Sequence, residues 1–119
     1  MSAQLLEGRP VAEAVLHHVR QRVAELKAKG IRPGLGTILV GDDSASAGYV
    51  RKKHETCEAV GIASFHHEIP SSADQSAVLA AVEEFNRNPE VDSFIIQYPL
   101  PGGFDFNEAV SVMNPDKDA

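Results

Sequence analysis

The sequence predicts an α/β domain with three layers, in which helices cover both faces of a mainly parallel β-sheet. Segments with helical periodicity alternate with short apolar, strand-like segments along the 119 residues. This alternation is typical of parallel strands joined by crossover helices. The length suits one domain, and an apolar fraction of 43% is sufficient for one hydrophobic core. We therefore treat residues 1–119 as a single domain.

The first helix and the first strand have clear local signals. A helix is predicted from about Pro10 to Gly30, because proline suits a first helical turn and glycine suits a helix end. The apolar stripe between them consists of Val11, Val15, Val19, Val23 and Leu26. Residues 37–40 form a short apolar run and are predicted to be a buried strand. The preceding Gly34-Leu35-Gly36 is predicted to be a turn, because it stands before a strand and not after one.

The later elements alternate in the same way. They are a helix over about residues 45–60 that ends at Gly61, a strand at 65–69, a helix after Asp74, a strand at 91–97 and a short helix at 107–113. Asp74 is a good N-cap residue. The apolar face of the helix after it comprises Val78, Leu79, Val82 and Phe85. Pro89 then breaks that helix.

Composition and charge exclude several classes of function. The formal net charge is −6 and the basic residues are scattered, whereas a nucleic-acid binder presents a basic face. No apolar run approaches the roughly 18 residues that a membrane span needs, and the N-terminus lacks the plan of a signal peptide. Cys57 is the single cysteine, so no internal disulfide can form and we expect a cytoplasmic location.

No metal site is expected from the sequence. Adjacent histidines point in different directions on a helix or a strand, so His17-His18 and His66-His67 are predicted to be surface residues. Cys57 is predicted to be a small core residue. Asp42-Asp43 is predicted to cap the second helix or to form the turn before it, although two carboxylates could bind a cation.

Two loops follow strands and are the candidate site. Ligands of open α/β sheets bind at the carboxyl ends of the strands. Residues 40–46 leave the first strand, and residues 97–103 leave the third strand. Parallel strands place both loops at one edge of the sheet. Two prolines stiffen the second loop, and Gly102-Gly103 lets its backbone approach a ligand closely.

The second helix presents one charged group, Lys53, within its apolar stripe. At 100° per residue, Ser46, Tyr49 and Lys53 share a face with apolar residues. These apolar residues are Val50, Cys57 and Val60, while Arg51, Lys52, Glu55 and Glu58 point away. A lysine in such a stripe either snorkels past the core or is held for use as a general acid or base. Short-chain dehydrogenases share the Tyr-x-x-x-Lys spacing, but they need a glycine-rich dinucleotide turn that this sequence lacks.

Several motifs in register resemble one enzyme family. They are Val40-Gly-Asp-Asp-Ser-Ala-Ser46, Tyr49-Val-Arg-Lys-Lys53, Gln97-Tyr-Pro-Leu-Pro101 and Pro115-Asp-Lys-Asp-Ala119, with Leu6-Glu-Gly8 and Glu58-Ala-Val-Gly-Ile62 also fitting. This pattern resembles the bifunctional methylenetetrahydrofolate dehydrogenase/cyclohydrolase family. The resemblance implies that residues 1–119 are the N-terminal, folate-binding catalytic half of a two-domain enzyme. The second half would be a Rossmann domain that binds NADP, and no cofactor is expected in this chain.

The resemblance also implies roles for individual residues. Lys53 would be the acid/base lysine of the cyclohydrolase step, and Gln97 would hydrogen-bond and tune it. Tyr49 would stack on the folate ring system, and Ser46 would help to hold the lysine or the substrate. The remaining substrate-binding residues would be Pro99, Leu100 and Pro101. The sequence departs from the usual family pattern at Ser44, where proline is common, and at Tyr98, where leucine is usual.

The expected activity belongs to the two-domain enzyme. That enzyme would oxidise 5,10-methylenetetrahydrofolate with NADP and hydrolyse the methenyl product to 10-formyltetrahydrofolate, which serves purine biosynthesis. We expect a homodimer for the intact enzyme. This chain alone is expected to be a monomer or weak dimer with weak folate binding and little activity. The alternative is a non-catalytic small-molecule-binding or interaction domain of the same fold.

Overall fold

The computed structural model describes residues 8–119. In chain order they form α1 (Gly8–Ala28), β1 (Gly34–Val40), α2 (Ser44–Val60), β2 (Ala63–Ile69), α3 (Gln75–Arg87), β3 (Ser93–Ile96), α4 (Phe106–Ser111) and a 3-10 helix (Pro115–Lys117). Leu6 and Glu7 of the motif Leu6-Glu-Gly8 lie outside the described residues. Within residues 8–119, no helix has the length and apolar character needed to cross a membrane.

The described strands form one parallel sheet in the order β2-β1-β3. Thr37 at the centre of β1 lies beside His66 of β2 and Ile95 of β3. The connections β1–α2–β2 and β2–α3–β3 run in opposite directions across the sheet. Because such crossovers are right-handed, α2 and α3 cover opposite faces. The predicted three-layer α/β architecture is therefore confirmed.

Alternate residues of β1 face the two helices. Gly36, Ile38 and Val40 face α3, and the residues between them face α2. The largest apolar cluster lies on the α3 side. It contains Ile38, Val40, Ile69, Val78, Ala81, Val82, Phe85, Val91, Phe94, Ile96, Ala109 and Met113. The opposite face of the sheet is covered by α2, which carries polar side chains as well as apolar ones.

The predicted turn at Gly34-Leu35-Gly36 is wrong, because these residues are the first half of β1. A side chain at Gly34 would collide with the carbonyl oxygen of Glu90, and a Cβ at Gly36 would lie 2.8 Å from Cε2 of Phe85. The two glycines therefore allow α3 and its connection to pack directly on the strand. The turn lies earlier, where Gly30 has a φ of 76°.

Other element ends also differ from the predictions. Strand β2 begins at Ala63, two residues earlier than predicted, and β3 is limited to Ser93–Ile96 instead of residues 91–97. Helix α4 spans Phe106–Ser111 instead of residues 107–113. Side-chain capping was easier to predict: Asp43 and Asp74 cap α2 and α3, as expected for residues of this type.

The apolar stripe of α1 is only partly covered. Val23 is buried, whereas Val11 and Val15 are 65% and 55% exposed. The reason is that the C-terminal half of α1 packs on the end of α2, where Arg20 Nε donates to the Ala59 carbonyl at 3.3 Å. The end of α2 at Gly61 has a φ of 90°, so the predicted glycine cap of α2 is confirmed.

The C-terminal segment is tied to the sheet by a contact that the sequence did not predict. Lys117 Nζ donates to the carbonyl oxygens of Phe85 and Asn88, each at 2.9 Å. The next residue, Asp118, forms a parallel bridge with Phe94 of β3. The segment therefore lies along the edge of β3, the strand that Gln97 directly follows.

Candidate functional site

The two candidate loops meet at the carboxyl edge of the sheet, as their positions after parallel strands predict. The β1–α2 loop contains residues 41–43, and the β3–α4 loop contains residues 97–105. The N–H of Gln97 donates to the Ile38 carbonyl at 2.9 Å, so the second loop begins beside β1. The backbone of Gly41 lies against the ring of Pro101. The two loops are thus in direct contact.

Helix α2 presents the face that its angular pattern predicts. Ser46 is 2% exposed, and the apolar residues Val50, Cys57 and Val60 are buried with it. The residues predicted to point away are all exposed: Arg51, Lys52, Glu55 and Glu58. Lys53 is half-buried among the inward-facing residues. Its stem therefore lies along the apolar stripe while its amine reaches the edge of the sheet.

Lys53 and Gln97 are joined although 44 residues separate them in the chain. Lys53 Nζ donates to Gln97 Oε1 at 2.8 Å, and Gln97 Nε2 donates to the Tyr98 carbonyl at 3.3 Å. The second bond fixes the orientation of the amide, so that its oxygen faces the lysine. Gln97 is 9% exposed. The amide is therefore a rigid acceptor for the lysine amine.

The charge of Lys53 has no carboxylate partner within the described residues. Its hydrogen-bond acceptor is a neutral amide, which orients the amine without neutralising it. The amine lies 6.0 Å from the centroid of the Tyr49 ring, at the outer limit for a cation–π interaction. Lys53 can therefore direct its positive charge or its proton at a bound molecule.

Tyr49 differs from its neighbours on the same helix face because the residue is 60% exposed. An exposed aromatic face beside a cation suits the stacking of a planar ligand. Ser46 is buried two turns before Lys53, but no hydrogen bond between its hydroxyl and Lys53 is found among residues 8–119. The structure thus brings Tyr49, Lys53 and Gln97 together, and it places Ser46 deeper in the same face.

A groove of about 410 Å³ runs along this side of α2, above β1 and β3. It is lined by Leu35, Tyr49, Lys52, Lys53, Thr56, Cys57 and Ile95. Its walls are mostly apolar, and Lys53 and Tyr49 stand at its end near the loops. A second depression of about 380 Å³ lies on the other side of α2, where Thr37 and His66 contribute to its wall and Lys53 does not. The first groove is therefore the candidate binding site.

The chain matches the sequence profile of the family described as tetrahydrofolate dehydrogenase/cyclohydrolase, catalytic domain, over residues 6–119. The chain belongs to this family. It is 70% identical over all 119 residues to the bifunctional protein FolD of Syntrophotalea carbinolica, and it covers 41% of that protein. The chain thus spans about two fifths of the length of this relative.

Solved structures of the same family share the fold. The bifunctional enzyme FolD of Campylobacter jejuni superposes with a TM-score of 0.94 at 30% identity, with 98% of this chain and 42% of that chain covered. The FolD protein of Trypanosoma brucei, solved with NADP cofactor and inhibitor, gives a TM-score of 0.95 at 36% identity, covering 99% of this chain and 41% of that chain. These similarities extend over the whole described fold.

The loop prolines of this family member have different surroundings. Pro99 is exposed and Pro101 is half-buried, whereas Leu100 packs against the apolar cluster on the α3 side. Tyr98 is 67% exposed and meets Phe106 edge-on at 5.2 Å between ring centroids. Leu100 and Tyr98 therefore support the loop from the side opposite Lys53. The peptide bond between Tyr98 and Pro99 is cis.

Several contributors to the site were not predicted from the sequence, and Thr56 and Gly41 are two of them. Thr56 lines the groove and follows Lys53 by three residues, so helical spacing alone could have indicated it. Gly41 contacts Pro101 across the two loops. No local pattern shows that contact, because the two residues are 60 positions apart along the chain and only the parallel sheet brings their loops together.

Apart from Lys52, which lines the groove, the remaining titratable residues lie away from the groove or are buried. Burial raises the pKa of the Cys57 thiol, as expected for the predicted core residue. His17 and His18 are exposed as predicted. His67 is not a free surface residue, because it stacks on Phe85 at 4.8 Å. Among residues 8–119, no three His, Cys, Asp or Glu side chains converge in a way that could hold a metal ion.

Proposed function

We propose that the protein to which this chain belongs is a methylenetetrahydrofolate dehydrogenase and methenyltetrahydrofolate cyclohydrolase. In this proposal residues 1–119 carry the folate site. The observation that supports it best is the hydrogen bond of 2.8 Å from Lys53 to Gln97, which orients an amine that has no carboxylate partner among residues 8–119 beside the exposed ring of Tyr49. The bifunctional relatives and the family match support the same activity.

Hydrolysis of 5,10-methenyltetrahydrofolate needs proton transfers that an oriented amine can provide. Water adds to the methenyl carbon and loses a proton. The bond from this carbon to N5 then breaks as N5 gains a proton, and the hydroxyl group on the carbon loses its proton as it becomes the formyl oxygen. The product is 10-formyltetrahydrofolate, with one proton released overall. In our proposal Lys53 moves these protons, and Gln97 keeps Nζ directed at the reacting atoms.

Binding of the folate is assigned to the groove beside α2. The planar pterin would stack on Tyr49, and the apolar walls of the groove would pack against the folate. Ser46 would support the lysine from within the helix face. Pro99 and Pro101 would form a stiff wall on the other side. Leu100 would contribute by anchoring the loop, because it packs against the core.

The dehydrogenase step is assigned to NADP, which accepts a hydride when it is bound. Within residues 8–119, the structure does not fit a dinucleotide. Gly34 and Gly36, the G-x-G pair of the sequence, are packed against Glu90 and Phe85 respectively and leave no room for a phosphate. We therefore infer that a second, Rossmann-type domain outside this chain holds NADP. The role of residues 1–119 in this step is to hold the folate.

We also propose a cellular context from the family membership. The intact protein would be a cytoplasmic homodimer that supplies 10-formyltetrahydrofolate for purine biosynthesis. This chain alone would be monomeric or weakly dimeric and would bind folates weakly. Light scattering on both forms would test the oligomeric state, and a tight dimer of residues 1–119 would contradict that part of the proposal.

The central experiment uses a chimera in which this chain replaces the matching part of the Syntrophotalea carbinolica protein. We expect Lys53→Met to lower the rate of methenyltetrahydrofolate hydrolysis about 100-fold or more, the range lost with a general acid or base. Folate binding, measured by calorimetry, should change much less. Arg51→Met is the matched control, since Arg51 is basic, lies on the same helix and faces away.

Two outcomes would contradict the proposal. If Lys53→Met hydrolyses as fast as Arg51→Met, Lys53 is a snorkelling residue and the mechanism is wrong. If the unmodified chimera binds folate but neither hydrolyses nor oxidises it, the chain is the non-catalytic binding domain described as the alternative.

A further inference from the structure

Gly41 occupies a position that only glycine suits, for two separate reasons. Its φ is 85°, in the left-handed region that disfavours residues with a side chain. In addition, a Cβ at Gly41 would lie 2.9 Å from Cγ and 3.9 Å from Cδ of Pro101. The backbone itself is anchored, because the Gly41 N–H donates to the Ile69 carbonyl at 2.8 Å. Gly41 thus cannot move away easily from a ring placed against it.

Pro101 is the middle support of the β3–α4 loop. The loop is held at its start by the hydrogen bond from the Gln97 N–H to β1. It is held at its end by Gln75, whose side chain exchanges two hydrogen bonds with the backbone of Asp105, at 3.0 and 2.9 Å. Between these points, the ring of Pro101 rests on Gly41. This middle contact is the one that depends on the absence of a side chain.

The orientation of the Gln97 amide depends on the backbone of this loop. Gln97 Nε2 donates to the Tyr98 carbonyl, and this bond turns Oε1 towards Lys53. A displacement of Pro101 moves the backbone that begins at Tyr98 and hence the carbonyl that holds the amide. The acceptor would then leave the position in which it directs the Lys53 amine.

We propose that Gly41 is a positioning residue for the folate reaction. By leaving space for Pro101, it supports the loop that keeps the Gln97 amide directed at Lys53. This inference rests on the proposed function, since it assigns Gly41 a role in the hydrolysis carried out at Lys53. Gly41 itself has no need to touch the substrate.

The test compares four variants of the chimera described above. Gly41→Ala introduces both the backbone strain and the collision with Pro101. Gly30→Ala is the matched control, because Gly30 has a φ of 76° with nothing within 4 Å of its Cβ position and lies at the opposite edge of the sheet. Pro101→Ala and the double variant Gly41→Ala/Pro101→Ala isolate the contact.

We expect Gly41→Ala to lower kcat for hydrolysis about tenfold or more, with KM changed less than about threefold, and to shift the pH profile of kcat. Gly30→Ala should leave kcat within about twofold of the parent. In the Pro101→Ala background, adding Gly41→Ala should lower kcat less than about threefold. The inference is overturned if Gly41→Ala and Gly30→Ala lower kcat equally, or if the effect of Gly41→Ala is the same with and without the proline ring.

Amide hydrogen exchange separates this inference from the proposed function. Gly41→Ala should speed exchange in residues 97–105, and Gly30→Ala should not. Unchanged exchange in Gly41→Ala refutes the support of the loop, whatever the enzyme assays show. If exchange rises while the unmodified chimera has no folate activity, the loop contact stands, and both the proposed function and the positioning role of Gly41 in the folate reaction are refuted.

Discussion

Lys117 connects the C-terminal segment to the end of α3, and its replacement by methionine tests how much that connection stabilises the fold. The ammonium group donates to the carbonyl oxygens of Phe85 and Asn88, both at 2.9 Å. These carbonyls stand at the C-terminus of α3, where they lack partners within the helix. Methionine keeps the length and apolar stem of lysine but removes the donors.

The expected loss follows from these two contacts. A hydrogen bond to a charged group contributes about 1.5–3 kcal/mol, and a cation at a helix C-terminus adds about 0.3–1 kcal/mol. The two bonds share one ammonium group, and water can solvate the carbonyls partly in the variant, so their contributions do not add in full. We therefore expect Lys117→Met to lower the free energy of unfolding by about 2–3 kcal/mol.

Urea unfolding followed by circular dichroism measures this loss directly. The midpoint should fall while the dependence on urea concentration stays the same, because the surface exposed on unfolding hardly changes. Lys29→Met is the control, since Lys29 is exposed and should contribute less than about 0.5 kcal/mol. A loss for Lys117→Met no larger than that of the control would refute the idea that Lys117 anchors the C-terminal segment.

Two further predictions concern packing and pH. Gly36→Ala should lower the free energy of unfolding by about 1–3 kcal/mol, because its Cβ collides with Phe85. Gly48→Ala should raise the free energy of unfolding by about 0.5–1 kcal/mol, because Gly48 is an internal residue of α2 and a Cβ there meets no other atom. Urea unfolding compares the two variants, and equal effects would contradict the packing argument. Burial raises the pKa of the Cys57 thiol. The contribution of the buried neutral thiol to the free energy of unfolding is therefore complete below the pKa of an unfolded thiol, about 8.5. It is lost as the pH rises through the pKa of the folded state. As the pH is raised into the alkaline range, the free energy of unfolding should therefore fall more steeply for the parent than for Cys57→Ala. An equal fall in both proteins would show that burial of the thiol has no such effect.

The site was predicted best where it depends on one helix. The angular pattern of α2 placed Lys53 among inward-facing residues and Arg51 and Lys52 outside, and the structure agrees. A helix has a fixed rotation per residue, so spacing along the chain determines which side chains share a face. Tyr49 shows the limit of that argument, because it shares the face but is 60% exposed in the second turn of the helix.

One secondary-structure prediction was wrong because glycine occurs both in turns and in strands on which another element packs closely. Gly34-Leu35-Gly36 was predicted to be a turn, since glycine is common in turns and weakens strands. In the structure these residues are strand, and Phe85 and Glu90 fill the space that side chains would need. The sequence near Gly36 does not show that α3 approaches so closely, because the approaching residues come about 50 positions later.

The sequence by itself determined the alternation of helices and strands, the capping of α2 and α3 by Asp43 and Asp74, and the face on which Lys53 lies. These features depend on residues close together in the chain, whose geometry the backbone fixes. Only the tertiary structure decided that Lys53 meets Gln97 and that Pro101 rests on Gly41. Those contacts join loops from different strands, and their distances are set by the order of the strands and the packing of helices on both faces of the sheet.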